Sequence, residues 1–226
     1  MADHASFARR GAARLLIGIL AALCLAVPAL AGPDKRREEK KEAERVAKKV
    51  ERALGAAHQA EEERKALRHF QEEVAEYAEL HAEALAKLGP HEELVSMQEA
   101  LARAIEAKRA KAKQGDIFRP EVQPLFRRLI AEQLTGPDAR DARRTVLEGN
   151  PGERDEHPVP VVVRLNAVYP LGAAQSTVPP SVLLTLPSLP ACLHYRFVGR
   201  DLVLVDSVAD LIVDFLPDAA PDPATK

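Results

Sequence analysis

Apolar residues recur at every third or fourth position through much of residues 34–113. This spacing places them on one stripe of a helix. The segment is also rich in Ala, Glu, Lys, Arg and Leu, which is typical of long exposed helices. The first part of the stripe is mostly alanine, so the pattern predicts a long helix that buries little surface at its start. The stripe comprises Val46, Val50, Ala53, Ala57 and Ala60, then, after a shift of phase, Leu67, Phe70, Val74, Tyr77, His81, Ala84 and Leu88.

Gly89 and Pro90 interrupt the stripe, and a second helix is predicted to begin just after them. A break this short predicts an antiparallel, coiled-coil-like helical hairpin over residues 34–114. If Leu85 faces Leu94, the register places Tyr77 near Leu101, Val74 near Ile105, Glu76 near Arg103 and Glu72 near Lys108. Residues 34–62 extend beyond the second helix, so they form either a free helix, a frayed segment or a seam for another chain.

The rest of the chain predicts a small α+β domain over residues 117–217, followed by a disordered tail over residues 218–226. Two short helices are expected, one carrying Phe126 and Ile130 and one over residues 138–148. Strands are expected at residues 161–168, 193–198, 202–205 and 211–216, the last three forming an antiparallel meander. One sheet face should receive the helix with Phe126 and Ile130. The other face requires the second helix, the proline-rich segment 171–190 or a partner.

The amino-terminal residues 1–31 have the three parts of a secretory signal peptide. Arg9, Arg10 and Arg14 precede a short apolar run, and small residues lead to a predicted cleavage site near Ala31. The expected location is therefore the periplasm or the extracellular space. An uncleaved membrane anchor is the alternative, in which case the protein would contact the membrane through this segment.

Composition and charge exclude some classes of function. The formal net charge is −2, so no strong field attracts nucleic acid to the whole molecule. The aromatic fraction is 4% and tryptophan is absent, which excludes a large aromatic core. Removal of the leader would leave Cys192 as the one thiol, so we expect it to be buried as a small apolar residue, with a free thiol as the alternative.

A resemblance concerns the carboxyl-terminal strands. Residues 195–206, YRFVGRDLVLVD, and residues 211–214, LIVD, resemble the terminal hairpin of small periplasmic nickel/cobalt-homeostasis proteins. Those proteins have a Tyr-Arg pair, a Gly, a Leu-x-Leu-x-Asp and an Ile-Val-Asp at similar spacing. Residues 115–220 as a whole resemble uncharacterised exported bacterial proteins with a coiled-coil front. Neither resemblance implies a catalytic residue.

The residue pattern indicates no catalytic, cofactor-binding or metal-binding site. His58, His69, His81 and His91 are not spaced three or four apart, as two ligands on one helix face would be, although His58–Glu62 and His69–Glu73 are four apart. Ser176, Ser181 and Ser188 lie among prolines, as turn residues do. Asp201, Asp206 and Asp210 are assigned to turns and strand ends. Asp214 lies within an apolar strand, where Arg196 is expected to pair with it.

These observations favour an exported protein that acts by binding rather than by catalysis. The helical arm would provide a seam for self-association or for a partner helix, and no nucleic-acid partner or cofactor is expected. The alternative is a periplasmic metal- or stress-homeostasis protein whose sheet domain is the working part.

Overall fold

The computed structural model describes residues 33–89, 94–136, 139–148, 161–169 and 178–222. The chain divides into two units, residues 1–62 and residues 63–226. The predicted signal peptide with its cleavage site and the last four residues lie outside the described part. None of the helices within the described ranges combines the length and apolar composition that a membrane span requires.

The observed class is α+β, as predicted, with a long helix followed by helices and a three-stranded antiparallel sheet. The helices are α1 (Pro33–Ala86), α2 (Leu94–Lys108), α3 (Gln123–Leu134), α4 (Arg140–Glu148) and α5 (Pro180–Leu183). The strands are β1 (Leu193–Val198), β2 (Asp201–Asp206) and β3 (Ile212–Leu216), in the order β1-β2-β3. Leu193 pairs with Asp206 at one end of the first hairpin, and Leu202 pairs with Leu216 in the second. The predicted meander is therefore confirmed.

In the first unit, residues 34–62 of α1 contain no buried residue. Val46 and Leu54 are 44% and 47% exposed, although both are large apolar side chains. The visible contacts of this segment include exposed ion pairs within the helix, such as Glu42 with Arg45 and Glu44 with Lys48. Such pairs contribute about 0.3–0.5 kcal/mol each, so they support the helix weakly. We call residues 33–62 the arm.

In the second unit, α1, α2, α3 and the sheet share one hydrophobic core. Phe70 of α1 contacts the rings of Phe118 and Phe126, with centroid separations of 5.6 and 4.9 Å. Phe126 in turn approaches Tyr195 of β1. The helix with Phe126 and Ile130 thus packs on one sheet face, as predicted. The division between the two units falls between residues 62 and 63, within α1.

The predicted register of the helical hairpin is wrong. Lys108 Nζ donates to Glu83 at 2.8 Å rather than to Glu72, and Arg103 pairs with Glu99 on its own helix rather than with Glu76. The prediction assumed that the two stripes face each other along their whole length. Instead, Phe70 of α1 packs on Phe126 of α3 and on Phe118 in the segment before it.

The predicted strand over residues 161–168 is also wrong. Asn166 has a φ of 58°, in the left-handed region, and this breaks the extended conformation. Only Val168 forms a strand-like bridge, to Leu211. The segment nevertheless covers the second sheet face, where Tyr169 is buried with Val203 and Ile212.

The chain remains ordered beyond β3, so the disordered tail predicted from Asp218 is wrong for residues 218–222. Ala219 and Ala220 are buried. The Ala220 amide donates to the Arg200 carbonyl at 3.0 Å, and Arg200 Nε donates to the Ala220 carbonyl at 3.1 Å. The small side chains of Ala219 and Ala220 allow the chain to approach the sheet closely. The composition of this segment did not indicate the contact.

Candidate functional site

A buried polar cluster joins α1 to the end of β2. Tyr77 and His81 lie four residues apart, hence on the same face of α1. Tyr77 Oη donates to Asp206 Oδ2 at 2.7 Å, and His81 Nδ1 lies 2.6 Å from the same oxygen. The other carboxylate oxygen accepts the backbone N–H groups of Val208 and Ala209 at 2.9 and 2.8 Å. Asp206 is fully buried, and these four contacts satisfy it.

Burial and charge make the protonated forms of the neighbouring acids more stable. Burial, followed by the charge of Asp206, raises the pKa of Tyr77. The same two causes raise the pKa of the Cys192 thiol, which is half-buried. A reactive cysteine needs the opposite shift, because the thiolate is the nucleophile. Cys192 is a free thiol and is half-buried, rather than the buried small apolar residue that was expected.

An aspartate paired with a histidine can orient the imidazole as a general base. The other contacts of the His81 ring are therefore of interest. Nucleophilic catalysis requires a hydroxyl or thiol about 2.6–3.2 Å from the imidazole. Within the described residues, the hydrogen-bond partner of the His81 ring is Asp206. The cluster links α1 to the turn after β2 through these hydrogen bonds. His81 was expected as a stripe residue, and its partner was not anticipated.

A second buried carboxylate, Asp214, binds backbone amides. Its Oδ2 accepts the N–H groups of Ile117 and Phe118, both at 2.8 Å. Its Oδ1 accepts those of Gly115 and Phe215, both at 2.9 Å. The predicted Arg196–Asp214 pair is wrong, because the Asp214 side chain points to the turn after α2.

Arg109, at the end of α2, forms a clamp with the segment that covers the second sheet face. Its guanidinium donates to Asn166 Oδ1 at 3.1 Å and to the Val213 carbonyl at 2.9 Å. It also lies 5.3 Å from the centre of the Tyr77 ring. Asn166 therefore keeps its left-handed conformation through tertiary contacts. No sequence pattern indicated this role for Arg109.

The remaining sequence candidates are scattered. His58 is exposed. His69 contacts Glu72 at 3.0 Å, whereas Glu73, four residues after it, pairs with Arg119. Ser181 and Ser188 are exposed. His91 and Ser176 lie outside the described residues. The part of the chain that the structure describes contains no group of three or more His, Cys, Asp or Glu side chains able to hold a metal ion.

The turn roles assigned to two aspartates agree with the structure. Asp201 Oδ1 accepts the Asp218 N–H at 2.9 Å. Asp210 has a φ of 48°, which Asp tolerates better than most residues. Asp206 also binds the amides of its turn, but its contacts with α1 go beyond the assigned role.

A groove of about 670 Å³ runs beside β1, which is an edge strand of the three-stranded sheet. Its apolar side is formed by α5 and the residues after it, where Leu184 is 87% exposed and Leu183 is 51% exposed. Its polar side includes His194 and Arg196. The full lining comprises Val178, Leu183, Leu184, Leu186, Pro187, Ser188, Leu189, Leu193, His194, Tyr195 and Arg196.

Comparisons with family models, with curated proteins and with solved structures found no match to this chain. The functional conclusion therefore depends on the surfaces and side chains described above.

Proposed function

We propose that this protein is exported and acts without catalysis, by binding a second helix along the arm. The observation that carries the proposal is the exposure of Val46 and Leu54 on a segment without a buried residue. A lone helix of this kind is marginally stable in water, because helix formation gains most of its stability from packing. A partner helix against the stripe would bury these side chains.

The chemistry of the stripe favours a close, coiled-coil-like contact. Val46, Val50, Ala53 and Ala57 recur at spacings of four, three and four, which follows a heptad pattern. The alanines allow close approach of two backbones but bury little area each. We expect a contact that depends on its few larger side chains, with a second copy of this chain as the simplest partner.

Sedimentation equilibrium of the processed chain, from residue 32 onwards, tests self-association. We expect a concentration-dependent dimer, and Val50→Glu should shift it to monomer because a carboxylate would enter the seam. Gln59→Glu introduces the same charge on the opposite side of the helix and serves as the matched control. A chain that remains monomeric at all concentrations, and that captures no helical partner from envelope extract, would contradict the proposal.

Export is tested separately. When the full sequence is expressed in a bacterium, we expect cleavage near Ala31 and recovery of the shortened chain outside the cytoplasm. Amino-terminal sequencing of the recovered protein identifies the cleavage site. An intact leader on a membrane-bound chain would instead indicate the anchor alternative.

A further inference from the structure

Arg196 lies half-buried beside the β1 groove. Its Nε donates to His194 Nε2 at 2.6 Å, and its guanidinium lies 4.8 Å from the centre of the Tyr169 ring. Within the described ranges, no carboxylate lies within ion-pair distance of this guanidinium. Asp210 senses the cation at longer range: burial raises the pKa of Asp210, and Arg196 opposes that rise.

His194 adds no charge to this end of the groove. Its Nε2 accepts the hydrogen bond from Arg196, so the imidazole is neutral in this arrangement. Burial, followed by the Arg196 charge, lowers the pKa of His194 to about 4. Among the residues that the structure describes, the charged groups that face this site are Arg196 and, more distantly, Asp206 and Asp210. The polar end presents one half-buried cation held in place by an imidazole and an aromatic ring.

The rest of the groove is apolar and partly open. Leu183 and Leu184 expose large side chains along it, and Leu186, which also lines the groove, is buried. Exposed leucines that converge on one groove are unusual on a protein surface without a binding role. The volume of about 670 Å³ falls within the range of about 300–1,000 Å³ that small-molecule sites occupy.

We propose that the β1 groove binds a monocarboxylate with a hydrocarbon chain, such as a fatty acid. The carboxylate would lie against the guanidinium of Arg196, whose planar fork suits two parallel N–H···O bonds. The hydrocarbon chain of the ligand would lie on Leu183, Leu184 and Leu186. A single cation complements a monovalent head group, and the leucines complement an unbranched tail. This assignment is independent of the arm.

Isothermal titration calorimetry of the full processed chain with dodecanoate, kept below its micelle concentration at pH 7.5, tests the proposal. We expect saturable binding of one dodecanoate per chain. Arg196→Gln should weaken it by about tenfold or more, because a charge-assisted hydrogen bond is lost, whereas Arg196→Lys should retain part of the affinity. Leu184→Ser should weaken binding because it removes an apolar contact with the hydrocarbon tail. It should leave the fold unchanged, since Leu184 is 87% exposed.

Arg164→Gln is the matched control, because it removes the same charge from an exposed position outside the groove lining. Dodecanol, which lacks the charge, should bind wild type and Arg196→Gln equally weakly. Circular dichroism of each variant reports whether the sheet remains folded. The proposal is overturned if wild type does not bind dodecanoate, if folded Arg196→Gln binds as tightly as wild type, or if an extended apolar peptide binds in its place.

Discussion

Replacing Asp214 by alanine should destabilise the protein strongly, because one buried carboxylate satisfies four backbone N–H groups. The donors at Ile117 and Phe118 are buried, and each would lose its acceptor. A buried unsatisfied amide costs about 1–3 kcal/mol, so these two account for about 2–6 kcal/mol. The donors at Gly115 and Phe215 are partly exposed and are able to bind water, so we assign them no cost.

Urea denaturation followed by circular dichroism measures this loss as a lower midpoint. The slope should remain that of wild type if the unfolded states are alike. The stability of Asp214→Asn should lie between those of wild type and Asp214→Ala. One side-chain oxygen remains as an acceptor, but the amide nitrogen that replaces the other oxygen faces N–H donors. Asp201→Ala is the control, since its carboxylate accepts one exposed N–H, and we expect a change of at most about 1 kcal/mol.

The same variant distinguishes the amide-bound Asp214 from the ion pair expected from the sequence. Asp214→Ala and Arg196→Gln should have additive effects on the free energy of unfolding, because their side chains have different partners. An Asp214→Ala free energy of unfolding within about 0.5 kcal/mol of the wild-type value, the usual range for surface substitutions, would contradict this role of Asp214. A coupling energy between Asp214→Ala and Arg196→Gln well above that value would instead support the Arg196–Asp214 ion pair.

Three further outcomes are expected. In urea denaturation, Tyr77→Phe should lower the free energy of unfolding by about 1.5–3 kcal/mol and Tyr195→Phe by about 1 kcal/mol. The reason is that Tyr77 donates to a buried carboxylate, whereas Tyr195 donates to a carbonyl. Equal losses would show that Asp206 is not the acceptor. His194 has a pKa of about 4 in the folded protein, below its ordinary value of 6.5, so its contribution to stability is complete above pH 6.5 and is lost as the pH falls towards 4. His194→Gln should therefore lose less stability than wild type between pH 7.5 and 4.5. An unchanged dependence of stability on pH would contradict the lowered pKa of His194. The Cys192 thiol, whose pKa burial raises, should react with iodoacetamide at pH 8 more slowly than free cysteine, and faster alkylation would indicate a thiolate.

Much of the secondary structure could be predicted from the sequence, because helices and strands impose different spacings on apolar residues. The stripe through Phe70, Val74 and Tyr77 predicted a buried helix face, and the alternation in β1 agrees with its alternating burial. The strand expected before Tyr169 failed because Asn166 takes a left-handed conformation that depends on Arg109. Periodicity carries no information about such a tertiary contact.

The candidate sites were less accessible to sequence reasoning, because their residues are far apart in the chain. Tyr77 and His81 were correctly assigned to the inner stripe of α1, but nothing local connects them to Asp206. Two residues with polar ends on an otherwise apolar stripe were the available indication of a buried acceptor. The register of the helices failed for a related reason, since a stripe shows which face is buried and does not show what it meets.

The two hydrogen bonds between Ala220 and Arg200 determine where the chain can safely be shortened. The carbonyl of Pro217 accepts from Arg127 Nη2 at 2.9 Å, and Asp218 lies 3.2 Å from Arg200 Nη1. Truncation before residue 217 would remove these partners from two arginines, together with the buried Ala219 and Ala220. A purification tag is better attached after Asp222, whose carboxylate lies 4.0 Å from Arg200 Nη1.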